Sequence, residues 1–207
     1  IYRNYTTDQY VMVENGVQVS FWQAGINKAP VNLGMGARTA AEDTSTLIKG
    51  ISVVDVDGNL ASTQLTVLNG TLSVSLAGGA SISAGANNST TLTLSGTEAQ
   101  INAALASLTY QANPNATGPD PLTVVSRASA STVLSDTDSL SITVSSVNNP
   151  ATFSGDTSKS ITENNAAQTV TGTLSVSDVD SPTTISAQTN VSGSAGLGKF
   201  SISSAGV

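Results

Sequence analysis

The chain has 207 residues and a formal net charge of -7, with seven Lys and Arg against fourteen Asp and Glu. The few cations are scattered, which excludes a phosphate-backbone partner, since nucleic acid needs clustered Lys and Arg. There is neither Cys nor His, so zinc sites, thiol or imidazole catalysis and disulfides are excluded, and hard-cation chemistry through oxygen ligands remains.

Aromatics make up 4% of the residues, and Ser, Thr, Gly, Ala and Val dominate the rest, a mixture that favours short strands and turns over helices. The expectation is an all-β protein of more than one module, because this length exceeds one small sandwich. No apolar stretch approaches the ~18 residues of a membrane helix, and the first residues lack a basic region followed by an apolar run. The chain reads as an interior excerpt of something longer. Its acidic, Ser/Thr-rich, Lys-poor makeup fits a secreted or bacterial cell-surface repeat protein.

Residues 1–26 hold five of the eight aromatics, Tyr2, Tyr5, Tyr10, Phe21 and Trp22. Tyr10 to Val13 and Val17 to Trp22 alternate around Asn15-Gly16, the signal of a two-residue hairpin. This segment either closes a preceding module or offers strands to another chain. Ile26-Asn27-Lys28-Ala29-Pro30 reads as a linker, and a sandwich module is expected over residues 27–148. Within it, Leu47 to Val54 reads as a strand, Gln64 to Leu68 and Thr71 to Leu76 as a hairpin through Asn69-Gly70, and Thr91 to Leu94 as a further strand.

One helix is predicted from Thr97 to Leu108, with Thr97 as N-cap, Gln100 completing a capping box, and Ile101, Leu105 and Leu108 on one face. A single short helix among strands reads as a crossover at one end of a sandwich. Strands follow at Leu108 to Gln111, Leu122 to Arg127 and Leu140 to Val147, with Pro114, Gly118, Pro119 and Pro121 marking the loop between the first two. The linker phrase returns as Val147-Asn148-Asn149-Pro150. A partial module over residues 149–207 is expected from strands at Ser158 to Thr162, Gln168 to Ser177, Thr184 to Gln188 and Lys199 to Ser203. Fewer than 60 residues do not readily bury a sandwich core, so either more chain follows or strands from elsewhere complete it.

The two halves repeat. Asp55-Val56-Asp57-Gly58 and Asp178-Val179-Asp180-Ser181 each follow a strand-like run, and the linker phrases, Glu42 with Glu163, and these corners recur at offsets of 121, 121 and 123 residues. Parallel spacing of this kind marks tandem modules. Two Asp at i and i+2 beyond a strand end can aim both carboxylates at one ion, and calcium takes six to eight such oxygens. A lone Asp-Val-Asp-Gly is as well explained as a solvated turn; repetition in register favours the ion.

The stretch Glu42-Asp43-Thr44 through Gly50-Ile51-Ser52-Val53-Val54-Asp55-Val56-Asp57-Gly58, with Leu94-Ser95-Gly96-Thr97 and Ala99-Gln100-Ile101-Asn102-Ala103-Ala104-Leu105, resembles the bacterial cadherin-like repeats of large surface adhesins. It covers roughly residues 27 to 148. The tail, Gly155-Asp156-Thr157, Ile161-Thr162-Glu163 and Gly172-Thr173-Leu174-Ser175-Val176-Ser177-Asp178-Val179-Asp180, ending Phe200-Ser201-Ile202 and Ala205-Gly206, resembles the first half of a VCBS repeat. The resemblance implies tandem immunoglobulin- or cadherin-like β-sandwiches, stiffened by calcium between modules, in long secreted proteins used for adhesion and biofilm formation. Two departures stand out: the usual linker Asp is Lys28 in one copy and Asn149 in the other, and a usually acidic position is Arg127.

A cadherin-like strand order brings Asp55, Asp57, Asp136 and Asp138 together beside Asn27, with Lys28 among them, as either a weakened calcium site or an ion-pair cluster. The opposite end is expected to gather Glu42 or Asp43 and Glu98 with Asn148 or Asn149 and Asp178 and Asp180 of the next module. That junction is the stronger calcium candidate. The functional expectation is a calcium-rigidified spacer whose partners are neighbouring modules, other copies of the protein, or surface glycans and receptors. Alternatives are a filament subunit joined by donation of residues 1–26 into the incomplete C-terminal module, and a carbohydrate-binding module. Glycosidase chemistry is disfavoured, because its paired acids need a cleft and usually aromatic platforms.

Overall fold

The computed structural model describes residues 2–4, 9–14, 17–22, 27–129, 134–162, 164–196 and 198–207. In chain order the strands are β1 (Tyr2–Asn4), β2 (Gln9–Glu14), β3 (Val17–Trp22), β4 (Val31–Leu33), β5 (Arg38–Ala41), β6 (Thr46–Leu47), β7 (Ser52–Val54), β8 (Leu60–Thr66), β9 (Gly70–Ser73), β10 (Ser81–Gly85) and β11 (Thr91–Ser95). Helix α1 (Glu98–Leu105) follows, then β12 (Thr109–Ala112), β13 (Gly118–Ala128), β14 (Ser135–Ser145), β15 (Thr152–Gly155), β16 (Leu174–Ser177), β17 (Gln188–Ser192) and β18 (Lys199–Ile202). Among the described residues the protein is all-β with one short helix, as its composition predicts. It divides into two compact units, Ile1–Ser145 and Ser146–Val207.

In the first unit β1, β2 and β3 form a three-stranded antiparallel sheet. Its β2–β3 pairing sets Glu14 opposite Val17, as the hairpin reading requires; Asn15 and Gly16 lie outside the described residues. The sandwich that follows has a six-stranded sheet, ordered β10-β11-β8-β13-β14-β5, a three-stranded sheet β6-β12-β9, and the two-stranded ribbon β4–β7. Strand β5 joins β14 in parallel, and the other pairs are antiparallel.

Alternation builds the core. Leu122 and Val124 of β13, Leu140, Ile142 and Val144 of β14, and Leu92 and Leu94 of β11 are buried on one face and meet Leu72, Tyr110, Ile48 and Val53 from the opposite side. Each fully buried aliphatic side chain contributes about 1.5–3 kcal/mol relative to exposure. Helix α1 crosses from β11 in one sheet to β12 in the other, and Ile101, Ala104 and Leu105 close the core. Thr97 and Gln100 form the capping box. The helix ends at Leu105 rather than Leu108.

Three local expectations are corrected. Leu47 to Val54 is two strands: β6 pairs with β12 and β7 with β4, because Gly50 at φ +84 turns the chain between them. Asn69-Gly70 closes no hairpin, since β8 and β9 lie in different sheets. The chain is instead bent there by Asp120, which accepts from the main-chain N–H groups of Leu68 and Asn69, both at 2.9 Å. Pro119 and Pro121 fall inside β13, not in a loop. They are tolerated because β13 bonds only to β14 over that stretch, and β8 joins at Thr123.

The second unit consists of two antiparallel pairs, β15–β16 and β17–β18. The strands expected at Ser158 to Thr162 and Thr184 to Gln188 do not form, and the expected run Gln168 to Ser177 is a strand only over β16. None of its described side chains is buried, and Phe153 is 66% exposed. Even so, β15–β16 repeats the β4–β7 ribbon: Thr152 faces Ser177 and Phe153 faces Val176, as Val31 faces Val54 and Asn32 faces Val53. Offsets of 121 and 123 residues relate the two ribbons, so the sequence repeat is also a repeat of strand register.

Candidate metal centre

Each acidic corner is a self-bonded turn clasped by the linker ahead of it. In the first unit the Asp57 main-chain N–H donates to Asp55 Oδ1 at 3.0 Å, and the Gly58 N–H donates to the Asp55 carbonyl at 3.1 Å. The Lys28 N–H then donates to Asp57 Oδ2 at 2.6 Å. In the second unit Asp180 and Ser181 donate to Asp178 Oδ1 at 2.8 and 2.9 Å, and the Asn149 N–H donates to Asp180 Oδ2 at 2.5 Å. The turn follows from sequence, because Asx turns let an Asp carboxylate bond the main chain two residues on. The clasp does not, since it requires the linker and the second strand to lie side by side.

This geometry changes the role of position 28. Lys28 meets the corner through its main-chain N–H, and the residue is exposed. Asn149 binds the equivalent acid through the same main-chain group, so the clasp is made in both copies with different side chains in the linker. Arg127 is exposed on β13.

Asp136 and Asp138 stand at the same end of the sandwich as Asp55 and Asp57 but face a carboxamide. Asp136 Oδ2 accepts from the Asn32 main-chain N–H at 2.8 Å, and Asp138 Oδ2 accepts from Asn32 Nδ2 at 3.3 Å. Asn32, 7% exposed, receives the Ser126 hydroxyl proton on Oδ1 at 2.6 Å, and Ser126 lies 3.0 Å from Thr63 Oγ1. This polar chain pins β4 to β13 and β14. Sequence reading missed Asn32, whose polar side chain between Val31 and Leu33 was the available signal.

Glu98 is where the sequence expectation fails. The sequence groups it with Glu42, but Glu98 Oε2 accepts from the Asp55 main-chain N–H at 2.8 Å. The reason is topological: β11 ends beside Ser62 of β8, next to the start of β14, and α1 begins there. Glu42 is buried and its N–H donates to the Ser145 carbonyl, at the opposite end of β14. Asp43 beside it is exposed at φ +57. Asn148 is exposed, with Nδ2 bonding the Asn149 carbonyl at 3.1 Å. Glu163 lies outside the described residues.

Among the described residues no three His, Cys, Asp or Glu side chains converge as a ready metal cage. The first corner nevertheless carries an acceptor in want of a partner. Asp55 is 5% exposed and its Oδ2 has no hydrogen-bond partner. Asn59 Oδ1, four residues on, is likewise buried and unpartnered, while Asn59 Nδ2 bonds Asn27 Oδ1. Asp57 Oδ2, Glu98 Oε2 and Asn27 Oδ1 stand around the same corner, each accepting an N–H; with Asp55 and Asn59 they are the oxygens that could hold a hard cation here. No helix in the described residues is long and apolar enough to cross a membrane. No family model matches the chain, and no curated protein matches it.

Proposed function

We propose that this chain is a structural spacer from a secreted bacterial multi-repeat adhesin or surface fibre, with calcium stiffening its acidic corners. The observation that carries this reading is the repeated clasp: Lys28 on Asp57 and Asn149 on Asp180 hold two linkers in the same way, on two copies of one β-ribbon. A tandem array needs each linker held against the module that follows it. Asp55 with its buried unpartnered Oδ2 fits a calcium ion, with Asp57, Asn59, Asn27 and Glu98 completing the oxygen set, and Asp178 with Asp180 forming the second corner. Calcium, when bound, would supply positive charge to offset the carboxylates of Asp55, Asp57 and Glu98 at this corner.

The role is mechanical and non-enzymatic. The acidic side chains hold main-chain N–H groups at strand ends, an arrangement that stiffens turns rather than presenting an acid and a base across a cleft. Partners are neighbouring modules of the same protein, which the repeated linker supports. Ligand binding to the folded state stabilises it by roughly 1–2 kcal/mol at a tenfold to thirtyfold excess over Kd. Melting temperature and small-angle scattering length are measured in millimolar calcium and after EDTA. Both fall or broaden in EDTA if the reading holds; identical values in the two conditions overturn it.

A further inference from the structure

We propose that the open face of the second unit is a docking site for the β2–β3 strand pair of another copy of this chain, so that copies join head to tail. In the first unit the inner side of the β4–β7 ribbon is covered. Ile51 and Val53 are buried, and Asn32 is held by Ser126 of β13 and Asp138 of β14. Their counterparts 121 or 123 residues on are Leu174, Val176 and Phe153. Leu174 and Val176 are only half-buried and Phe153 is largely exposed. Leu174, Phe200 and Ile202 line an open groove of about 350 Å³. The ribbon that is packed in one unit, β4 on β13 and β14 and β7 on α1, is thus bare in the other.

The covering pair β13–β14 is antiparallel and directly precedes the linker phrase Val147-Asn148-Asn149-Pro150. Among the described residues one other antiparallel pair directly precedes a linker phrase: β2–β3, ahead of Ile26-Asn27-Lys28-Ala29-Pro30. It belongs to a three-stranded sheet that bonds to no further strand among those described. By position in the repeat, β2–β3 is the pair that the second unit wants. Donor and acceptor are different surfaces, so a joined pair keeps one of each free, on opposite copies, and association is open-ended. This proposal does not rest on calcium, and the association persists in EDTA.

Sedimentation velocity on the 207-residue chain in EDTA tests it. The expected result is a weight-average mass that rises with concentration above 20.7 kDa. Phe153→Asp blocks the acceptor at an exposed position, and Val19→Pro breaks the donor strand. Each variant alone loses association at least tenfold, and Phe153→Asp keeps the parent's far-ultraviolet circular dichroism, which separates lost docking from lost folding. An equimolar mixture of the two restores dimers and nothing larger, because only one intact donor and acceptor meet. A monomeric parent chain at every concentration overturns the proposal, as do unchanged association in both variants and growth beyond dimers in the mixture.

Discussion

Lys28 holds Asp57 through its main-chain N–H, at 2.6 Å from Oδ2, and its side chain takes no part in the bond. Side-chain identity at this position is therefore free while the N–H is not. Lys28→Ala is expected within about 0.5 kcal/mol of the parent, the ordinary range for an exposed substitution. Lys28→Pro removes the donor and leaves Asp57 short of a charge-assisted bond, at about 1–3 kcal/mol. Urea denaturation of the two variants checks the contrast; equal losses would show that the side chain matters.

Asn32 links four groups, the Asp136 and Asp138 carboxylates, the Ser126 hydroxyl and the Val124 carbonyl. Asn32→Ala keeps the main-chain bond to Asp136 but strips buried partners from Ser126 and Asp138. The expected cost is about 2–4 kcal/mol, since each unsatisfied buried polar group costs roughly 1–3 kcal/mol. Ser126→Ala removes only one contact and costs less. Denaturant midpoints of the two variants give the ranking.

Tyr110 donates its hydroxyl proton to Asp120 Oδ2 at 2.8 Å, inside the sandwich. Burial, reinforced by the neighbouring Asp120 carboxylate, pushes the phenol well above its ordinary value. The neutral phenol is the form that the fold favours, so this contribution is complete below the unfolded value of about 10 and is lost as pH climbs towards the raised one. Stability should fall through the alkaline range above about pH 10. Tyr110→Phe should flatten that fall and, by leaving Asp120 one donor short, cost about 1–3 kcal/mol at neutral pH. Denaturation of both proteins at pH 7 and above pH 10 measures both effects.

Gly34 and Gly58 separate crowding from backbone conformation. Both have positive φ, +78 and +68. A Cβ on Gly34 would run into the Gly50 carbonyl, whereas nothing lies within 4 Å of one on Gly58. Gly58→Ala should cost about 1 kcal/mol, the left-handed penalty alone. Gly34→Ala must also move the Gly50 carbonyl, and its thermal midpoint should drop further.

The sequence by itself determined the class of fold, the helix and its cap, the tandem repeat and the two acidic corners. These are local in origin: alternation of apolar residues, a Thr and Gln three apart, and Asp side chains that bond their own turn. The helix cap was legible because both of its partners lie within four residues. The offset of the repeat was legible too, whereas β4 and β15 and their registers with β7 and β16 emerge only in the structure.

Tertiary structure alone decided which acids stand together and what each one holds. Glu98 joins Asp55 rather than Glu42 because helix α1 starts where β11 ends, a matter of sheet order over forty residues of intervening chain. Asp120 turns Asn69-Gly70 into a crossing between sheets because a buried carboxylate needs donors, and two main-chain N–H groups and a phenol supply them. Position 28 likewise contributes its main chain, which no side-chain pattern records. Residue types could say that oxygen ligands were abundant; only the packing of strand ends could say which oxygens were already bonded, and that Asp55 Oδ2 was not.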